Sequence, residues 1–127
     1  MTTQPLLLVI EDDKISAELL TYMLGREGFR VSLCEDGLSA QNRIRSGLPP
    51  PRLVLLDLML PFVDGYQLLQ QIRQKPEWSG TPVIILSGRT QEQDIVRAFT
   101  LGASDYVTKP FLIGELLARI RSHIAKR

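Results

Sequence analysis

The sequence has few of the features that mark secreted, membrane-spanning or nucleic-acid-binding proteins. Its one cysteine, Cys34, cannot form a disulfide within the chain, which excludes a disulfide-bonded scaffold. Its 15 basic and 14 acidic residues leave a formal net charge of +1, which argues against a strongly basic nucleic-acid-binding module. No apolar run approaches the ~20 residues of a membrane-spanning helix, and residues 1–5 show no secretion signal. We therefore expect a cytoplasmic protein.

The composition that remains is that of an ordinary globular domain. Hydrophobic residues make up 44% of the chain and charged residues 23%, close to the averages for folded proteins. A chain of 127 residues can bury enough surface to fold around one core. We expect a single domain over residues 1–127, with its core at about residues 5–125 and Cys34 as a small buried apolar side chain.

Short apolar runs alternate with amphipathic segments along the whole chain. Five strands are predicted at the apolar runs Leu6–Ile10, Val31–Cys34, Leu53–Leu56, Val83–Leu86 and Tyr106–Val107. Five helices are predicted at the amphipathic segments Lys14–Glu27, Leu38–Ser46, Gly65–Lys75, Gln91–Leu101 and Ile113–Ile124. The first and fourth strands are apolar at every position, which is typical of strands buried on both faces. This alternation predicts a doubly wound α/β fold with a parallel sheet and right-handed crossovers.

Local signals predict how some of these elements begin and connect. Asp13 is expected to cap the first helix and Thr90 the fourth. The run Pro49–Pro51 is expected to form a stiff connector before the third strand. The segment Pro76–Pro82 is predicted to be a loop in which the Trp78 indole covers the edge of the sheet.

Polar side chains stand directly after the predicted strands. Glu11 and Asp12 come after the first strand, and Asp57 after the third. Ser87 ends the fourth strand and Lys109 comes after the fifth. In an open parallel sheet, ligands bind beyond the carboxyl ends of the strands. We therefore expect these five side chains to meet at one edge of the sheet.

The three carboxylates in this set predict a cation site. Two carboxylates at ~4 Å repel each other by about 4 kcal/mol at an effective dielectric constant near 20. A fold is therefore expected to gather Glu11, Asp12 and Asp57 only around a cation or a shared proton. Oxygen ligands with open positions suit Mg²⁺, and no histidine or cysteine stands beside them in sequence to suit zinc.

Asp57 has a second predicted role as a nucleophile. An aspartate can attack phosphorus to form an aspartyl phosphate, and a nearby lysine such as Lys109 can neutralise the transferring oxygens. A cis peptide bond at Lys109–Pro110 would direct the ammonium group inward. The Ser87 hydroxyl could donate to a phosphoryl oxygen, and Gly88 would let the backbone N–H approach it closely.

Together these residues resemble the receiver domain of two-component response regulators, over about residues 5–125. The resemblance is carried by four motifs: Val9–Asp13, Leu56–Gly65, Ile85–Gly88 and Gly102–Phe111. The spacings of 30 residues from Asp57 to Ser87 and 22 residues from Ser87 to Lys109 are typical of that family. The four motifs in this order make the resemblance specific, although each alone would be weak.

The resemblance implies a fold and a role for each site residue. It implies a (βα)5 flavodoxin-like fold with a five-stranded parallel sheet in order 2-1-3-4-5. Asp57 would be the phosphoacceptor, and Asp12 and Asp57 would bind Mg²⁺ directly. Glu11 would act on the Mg²⁺ through water, and the backbone carbonyl of Met59 would supply a further oxygen. Lys109 would pair with the phosphoryl group.

The resemblance also implies a switch and a set of partners. Ser87 would be the switch hydroxyl and Tyr106 the aromatic residue whose rotamer reports the phosphorylation state. The face formed by the helix at 91–101, the fifth strand and the last helix would then change shape. The donor would be a sensor histidine kinase or a histidine phosphotransfer protein, and the target an output domain or downstream protein. We expect a phosphoacceptor and not an enzyme, with no direct contact to nucleic acid or membrane.

A second copy of the chain is a further candidate partner through the same face. Four charged residues there could pair across a symmetric dimer: Asp94, Arg97, Asp105 and Arg119. His123, on the last helix, is expected to be a solvated or capping residue. Surface ion pairs alone are weak evidence for such a dimer.

Three other functions fit parts of the pattern. A Mg²⁺-dependent aspartyl-phosphate phosphatase-like hydrolase would need a second acid two residues after the nucleophile, where Met59 stands. A flavodoxin-like nucleotide or flavin carrier would have its phosphate repelled by the acids at 11–13 unless a metal intervened. A phosphorylation-independent pseudo-receiver would not need the full set of site residues. Because Met59 and Arg89 cannot orient an attacking water as an acid or amide would, we expect a long-lived acyl phosphate.

Overall fold

Five parallel strands form one sheet, with helices on both faces, in a computed structural model that describes residues 4–125. The strands are Leu6–Ile10 (β1), Arg30–Cys34 (β2), Leu53–Leu56 (β3), Val83–Ser87 (β4) and Asp105–Thr108 (β5). The helices are Lys14–Arg26 (α1), Gly37–Arg45 (α2), Gly65–Gln74 (α3), Glu92–Thr100 (α4) and Ile113–Ala125 (α5). The sheet order is β2-β1-β3-β4-β5, and every neighbouring pair is parallel. The predicted α/β fold and its strand order 2-1-3-4-5 are confirmed.

The central strands are apolar throughout because each of their faces is covered. Leu8 and Ile10 of β1 belong to a core cluster with side chains of α2 and α3. Leu7 and Val9 belong to the other cluster, with side chains of α1 and α5. Successive side chains of a strand point to opposite faces, so a strand between two helical layers must be apolar at every position.

Three helices begin at an aspartate whose side chain accepts from a backbone N–H of the first turn. Asp13 accepts from Ser16, Asp36 from Ser39, and Asp64 from Gln67, at 2.9, 2.7 and 3.0 Å. The structure thus contains the predicted Asp13 cap. None of the helices in residues 4–125 has the length and apolar character needed to cross a bilayer.

The start of α4 differs from the prediction. Thr90 was expected to cap this helix, but the N-cap residue is Gln91, and no side chain among residues 4–125 caps it. Hydroxyls from α3 and β5 contact this segment in another way, because they donate to the carbonyls of Asp94 and Arg89.

The environment of Trp78 also differs from the prediction. Pro76–Trp78 forms a 3-10 helix instead of a loop. The indole is fully buried in the core cluster beneath α2 and α3, so it does not cover the sheet edge. The guanidinium of Arg43 lies 5.2 Å from the ring centroid. The turn that begins at Pro76 places the side chain inward, where a large apolar group gains most from burial.

Candidate functional site

The polar residues predicted at the strand ends are fixed by main-chain hydrogen bonds to neighbouring strands. Glu11, directly after β1, donates its N–H to the Cys34 carbonyl at 3.0 Å. Asp57, directly after β3, donates its N–H to the Ile10 carbonyl at 3.0 Å. The Lys109 N–H, after β5, donates to the Ser87 carbonyl at 2.8 Å. The sheet ladder therefore extends into the site and sets where each side chain starts.

Three carboxylates converge at this edge of the sheet. One carboxylate oxygen each from Glu11, Asp12 and Asp57 lie within 4.8 Å of one another. Glu11 is 2% exposed and Asp57 7% exposed, whereas Asp12 is open to solvent. Two buried oxygens and one accessible oxygen form a donor set that fits Mg²⁺, which prefers oxygen ligands and keeps part of its water shell. The residues present therefore suit this cation.

The ammonium group of Lys109 lies between the two buried carboxylates. It forms an ion pair with Glu11 and lies 3.3 Å from Asp57 Oδ2. The Lys109–Pro110 peptide bond is cis. On its other side, Asp57 Oδ1 accepts a hydrogen bond from the Met59 backbone N–H at 3.1 Å. The two oxygens of Asp57 thus have separate partners, which fixes the orientation of the carboxylate.

Burial and mutual contacts shift the pKa values of Glu11 and Lys109. Burial of Glu11 and its contact with Asp57 raise the pKa of the Glu11 carboxyl to about 7, although Lys109 acts in the opposite direction. Burial lowers the pKa of Lys109, but the two carboxylates outweigh it and the net change is upward. The ammonium therefore stays charged at neutral pH, while Glu11 is poised to hold or release a proton.

Ser87 and Tyr106 both contact the main chain of Arg89. Ser87 is fully buried, and its Oγ accepts the Arg89 N–H at 3.1 Å. The Tyr106 hydroxyl donates to the Arg89 carbonyl at 2.8 Å. Gly88 lies between Ser87 and Arg89 in sequence, and apart from these two neighbours no atom of the described chain comes within 4 Å of the place a Cβ would occupy there. Its backbone contact to a phosphoryl oxygen stays a prediction.

The guanidinium of Arg89 lies over the rim of the site. Its Nη2 and Nε lie 2.7 and 3.0 Å from the Met59 sulfur, and its Nη1 lies 3.4 Å from Asp94. The sequence pattern placed Met59 and Arg89 on either side of the path of an attacking water, and the structure brings them into direct contact. Beside them lies a cleft of about 490 Å³ that is also lined by Tyr66 and Arg97. Neither residue was predicted at this site from the sequence, because the contacts between α3 and α4 bring them here.

The charged residues on the face of α4, β5 and α5 have partners within the chain. Asp105 accepts from Arg119 Nη1 with both oxygens, at 3.0 and 3.1 Å. His123, expected to be a solvated or capping residue, is partly buried, and its Nε2 lies 3.1 Å from Asp105. Arg97 lies over the Tyr66 ring. Pairing of these residues across a dimer stays a prediction.

The comparison with protein families decides what this site belongs to. The model of the response regulator receiver domain matches residues 7–121. The chain belongs to this family. The receiver domain is 40% identical over 122 residues to the phosphate regulon transcriptional regulatory protein PhoB of Rhizobium meliloti, covering 96% of this chain and 53% of that protein. It is 39% identical to the DNA-binding response regulator MtrA of Mycolicibacterium smegmatis, covering 98% and 53%. The chain therefore spans about half the length of these curated relatives.

Solved structures agree with this assignment. A putative response regulator from Chloroflexus aurantiacus superposes with a TM-score of 0.89 at 32% identity, covering 97% of this chain and 99% of that one. The receiver domain of the sensor histidine kinase PA1611 from Pseudomonas aeruginosa superposes with a TM-score of 0.86 at 29% identity, covering 97% and 99%. That structure has a magnesium ion coordinated in its active-site cleft. The predicted family is therefore confirmed, and the phosphatase-like alternative is not favoured.

Proposed function

We propose that this receiver domain accepts a phosphoryl group on Asp57 from a phosphohistidine. The donor is a sensor histidine kinase or a histidine phosphotransfer protein. An Asp57 oxygen attacks phosphorus, the P–N bond breaks, and its electron pair returns to the imidazole, which takes up a proton. The observation that carries the proposal is that the Asp57 carboxylate belongs to the cluster with Glu11 and Asp12 and has the ammonium of Lys109 3.3 Å from its Oδ2. We propose that the chain is a phosphoacceptor and switch and not a turnover enzyme.

The residues around Asp57 would hold the cation and neutralise charge in this reaction. Asp12 and Asp57 would hold Mg²⁺, with Glu11 through water and the Met59 carbonyl as a further ligand. The bound cation supplies charge neutralisation at the transferring phosphoryl oxygens. Lys109 exchanges its carboxylate partners for a phosphoryl oxygen. The magnesium ion in the PA1611 receiver structure supports this choice of metal.

Chemical phosphorylation tests the acceptor directly. Incubation with acetyl phosphate and Mg²⁺, followed by intact mass, is expected to add one phosphoryl group, and none with a chelator present. Asp57→Asn is expected to abolish the adduct. The matched control is Asp36→Asn, because asparagine can also cap α2, where Asp36 accepts from Ser39, and Asp36 is not one of the clustered carboxylates. An adduct that persists in Asp57→Asn contradicts the proposal.

An exposed apolar surface beside Lys109 supports a protein donor. Ile15 and Leu19 of α1 are 77% and 48% exposed, and Leu112, before α5, is 72% exposed. Leu19 and Leu112 line a groove of about 580 Å³ that is also lined by Lys109. We infer that the donor packs here, since burial of such side chains stabilises a complex. With a donor that labels the wild-type chain, Leu19→Ser should slow transfer and leave acetyl phosphate labelling unchanged; equal transfer rates would contradict this.

We infer that the phosphorylated domain acts through the face of α4, β5 and α5. Ser87 would turn toward the phosphoryl group, with its neighbour Gly88 donating a backbone N–H, and Tyr106 would move with it. Val96 and Phe99 of α4 expose apolar surface on this face. An output domain or a downstream protein could cover it, or a second copy of the chain could do so in a homodimer.

The names of the relatives support a transcriptional output, although we propose no contact of this domain with DNA or membrane. The free thiol of Cys34 fits a reducing compartment, and we place the domain in the cytoplasm.

A further inference from the structure

Tyrosine hydroxyls from two sides hold the segment that joins β4 to α4. Tyr106, on β5, donates to the Arg89 carbonyl at 2.8 Å. Tyr66, in the first turn of α3, donates to the Asp94 carbonyl at 3.2 Å. One acceptor lies just before α4 and the other in its first turn. The two phenols together therefore hold the main chain on both sides of the first residue of α4.

Tyr66 also contacts α4 at a second point. Its side chain is buried in the core cluster beneath α2 and α3. The guanidinium of Arg97 lies over its ring, 3.9 Å from the centroid. Burial raises the pKa of the Tyr66 phenol, so the hydroxyl remains a hydrogen-bond donor at neutral pH. Since Asp94 and Arg97 are one helical turn apart, a shift of α4 along or around its axis disturbs both contacts.

We propose that Tyr66 is a positioning residue of the switch, and that it holds α4 in the packing of the unphosphorylated domain; this rests on the function proposed above. In the structure the Ser87 hydroxyl is engaged by the Arg89 N–H. When that hydroxyl turns to a phosphoryl oxygen, the Arg89 N–H loses its acceptor and the segment 89–94 is released on that side. The Tyr66 hydroxyl then still resists a movement of α4.

A contact that holds one packing of the switch changes ligand affinity in a direction that a contact that only supports the fold would not. A contact made in only one of two packings lowers the affinity for any ligand that binds the other packing. Removing the Tyr66 hydroxyl should therefore tighten the binding of a phosphoryl mimic. A contact that only supports the fold would leave that affinity unchanged, or weaken it when lost.

The test is beryllofluoride binding by the whole chain in the presence of Mg²⁺, monitored by amide NMR spectra. Tyr66→Phe keeps the ring beneath Arg97 and removes only the hydroxyl. We expect its dissociation constant to fall about three- to tenfold, the effect of one hydrogen bond. The matched control is Tyr22→Phe, since Tyr22 lies exposed on α1 and contacts Arg26 of the same helix. Its dissociation constant should equal that of the wild type.

An unchanged or larger dissociation constant for folded Tyr66→Phe overturns the proposal. Thermal unfolding shows whether Tyr66→Phe folds. If it does not, Arg97→Gln removes the second contact between Tyr66 and α4, and this variant must bind beryllofluoride more tightly than the wild type does. The wild type separates the two proposals. If acetyl phosphate fails to label it and beryllofluoride fails to bind, the phosphorylation proposal fails and this one with it. If the wild type is labelled and Tyr66→Phe binds no tighter, only the role of Tyr66 is overturned.

Discussion

The two sides of the site are built in different ways. On the acidic side, Glu11 and Asp57 are buried and stand directly after strands whose neighbours bond their main chain. On the other side, residues 88–93 are exposed, and within the described chain no side chain caps α4. Hydroxyl contacts from Tyr66, Ser87 and Tyr106 hold that segment. We therefore expect the proposed acceptor Asp57 to stand on rigid backbone and the segment at 88–93 to move at lower cost.

Two glycines give the sharpest test of this contrast. A Cβ at Gly65 would lie 2.4 Å from the Asp57 carbonyl oxygen and 2.6 Å from the Leu58 Cα, whereas Gly88 has open space in the described structure. We expect Gly65→Ala to lower the free energy of unfolding by ~3 kcal/mol, because backbone must shift, and Gly88→Ala to change it by less than about 0.5 kcal/mol. Urea unfolding of both variants measures this. Equal effects would mean that the two sides do not differ in rigidity.

The ion pair at the centre of the acidic side gives the next largest effect. Lys109→Met removes the cation from two buried carboxylates. We expect a loss of ~2 kcal/mol in the free energy of unfolding at pH 8, below the full cost of a buried pair because the lysine is partly exposed. The loss should shrink at pH 6, because the pKa of Glu11 is raised to about 7 and the protonated carboxyl no longer needs the ammonium.

A control separates this ion pair from lysines in general. Lys75 pairs with Glu77 at 3.6 Å on the surface, so Lys75→Met should cost less than about 0.5 kcal/mol at both pH values. A loss from Lys109→Met that is the same at pH 6 and pH 8 would contradict the role given to Glu11.

Much of this architecture could be predicted from the sequence, because it depends on which residues come directly after each strand. Parallel strands align their carboxyl ends, so residues placed after them meet, as Glu11, Asp57 and Lys109 do. The contact of Tyr66 with α4 could not be predicted in this way. It joins residues 28 positions apart through the packing of two helices, and no spacing rule fixes that distance. Trp78 was misplaced for a similar reason, since burial in the core outweighed local turn signals.

Mg²⁺ affinity is expected to depend on whether the Glu11 carboxyl is protonated. The cation needs ionised carboxylates, and the pKa of Glu11 is raised to about 7. Lowering the pH below 7 should therefore weaken Mg²⁺ affinity, by up to about tenfold per pH unit, and raising it above 7 should change little. Calorimetric titration at pH 6, 7 and 8 measures this. Glu11→Gln should remove most of the pH dependence; a dependence of the same size in that variant would assign the proton to another group.

The smallest expected effect concerns the contact between Met59 and Arg89, where the two sides meet. A thioether and a guanidinium border the acceptor, and neither can orient an attacking water as an amide or carboxylate would. Met59→Asn is expected to shorten the lifetime of the Asp57 phosphoryl group about fivefold, since one orienting hydrogen bond is worth ~1 kcal/mol. Decay after removal of acetyl phosphate, monitored by intact mass, measures it, and Met59→Leu is the matched apolar control. The Met59→Asn phosphoryl group could instead last as long as that of the wild type, or longer. The contact between Met59 and Arg89 would then not limit the access of water, and the stability of the acyl phosphate would depend on the acidic side alone.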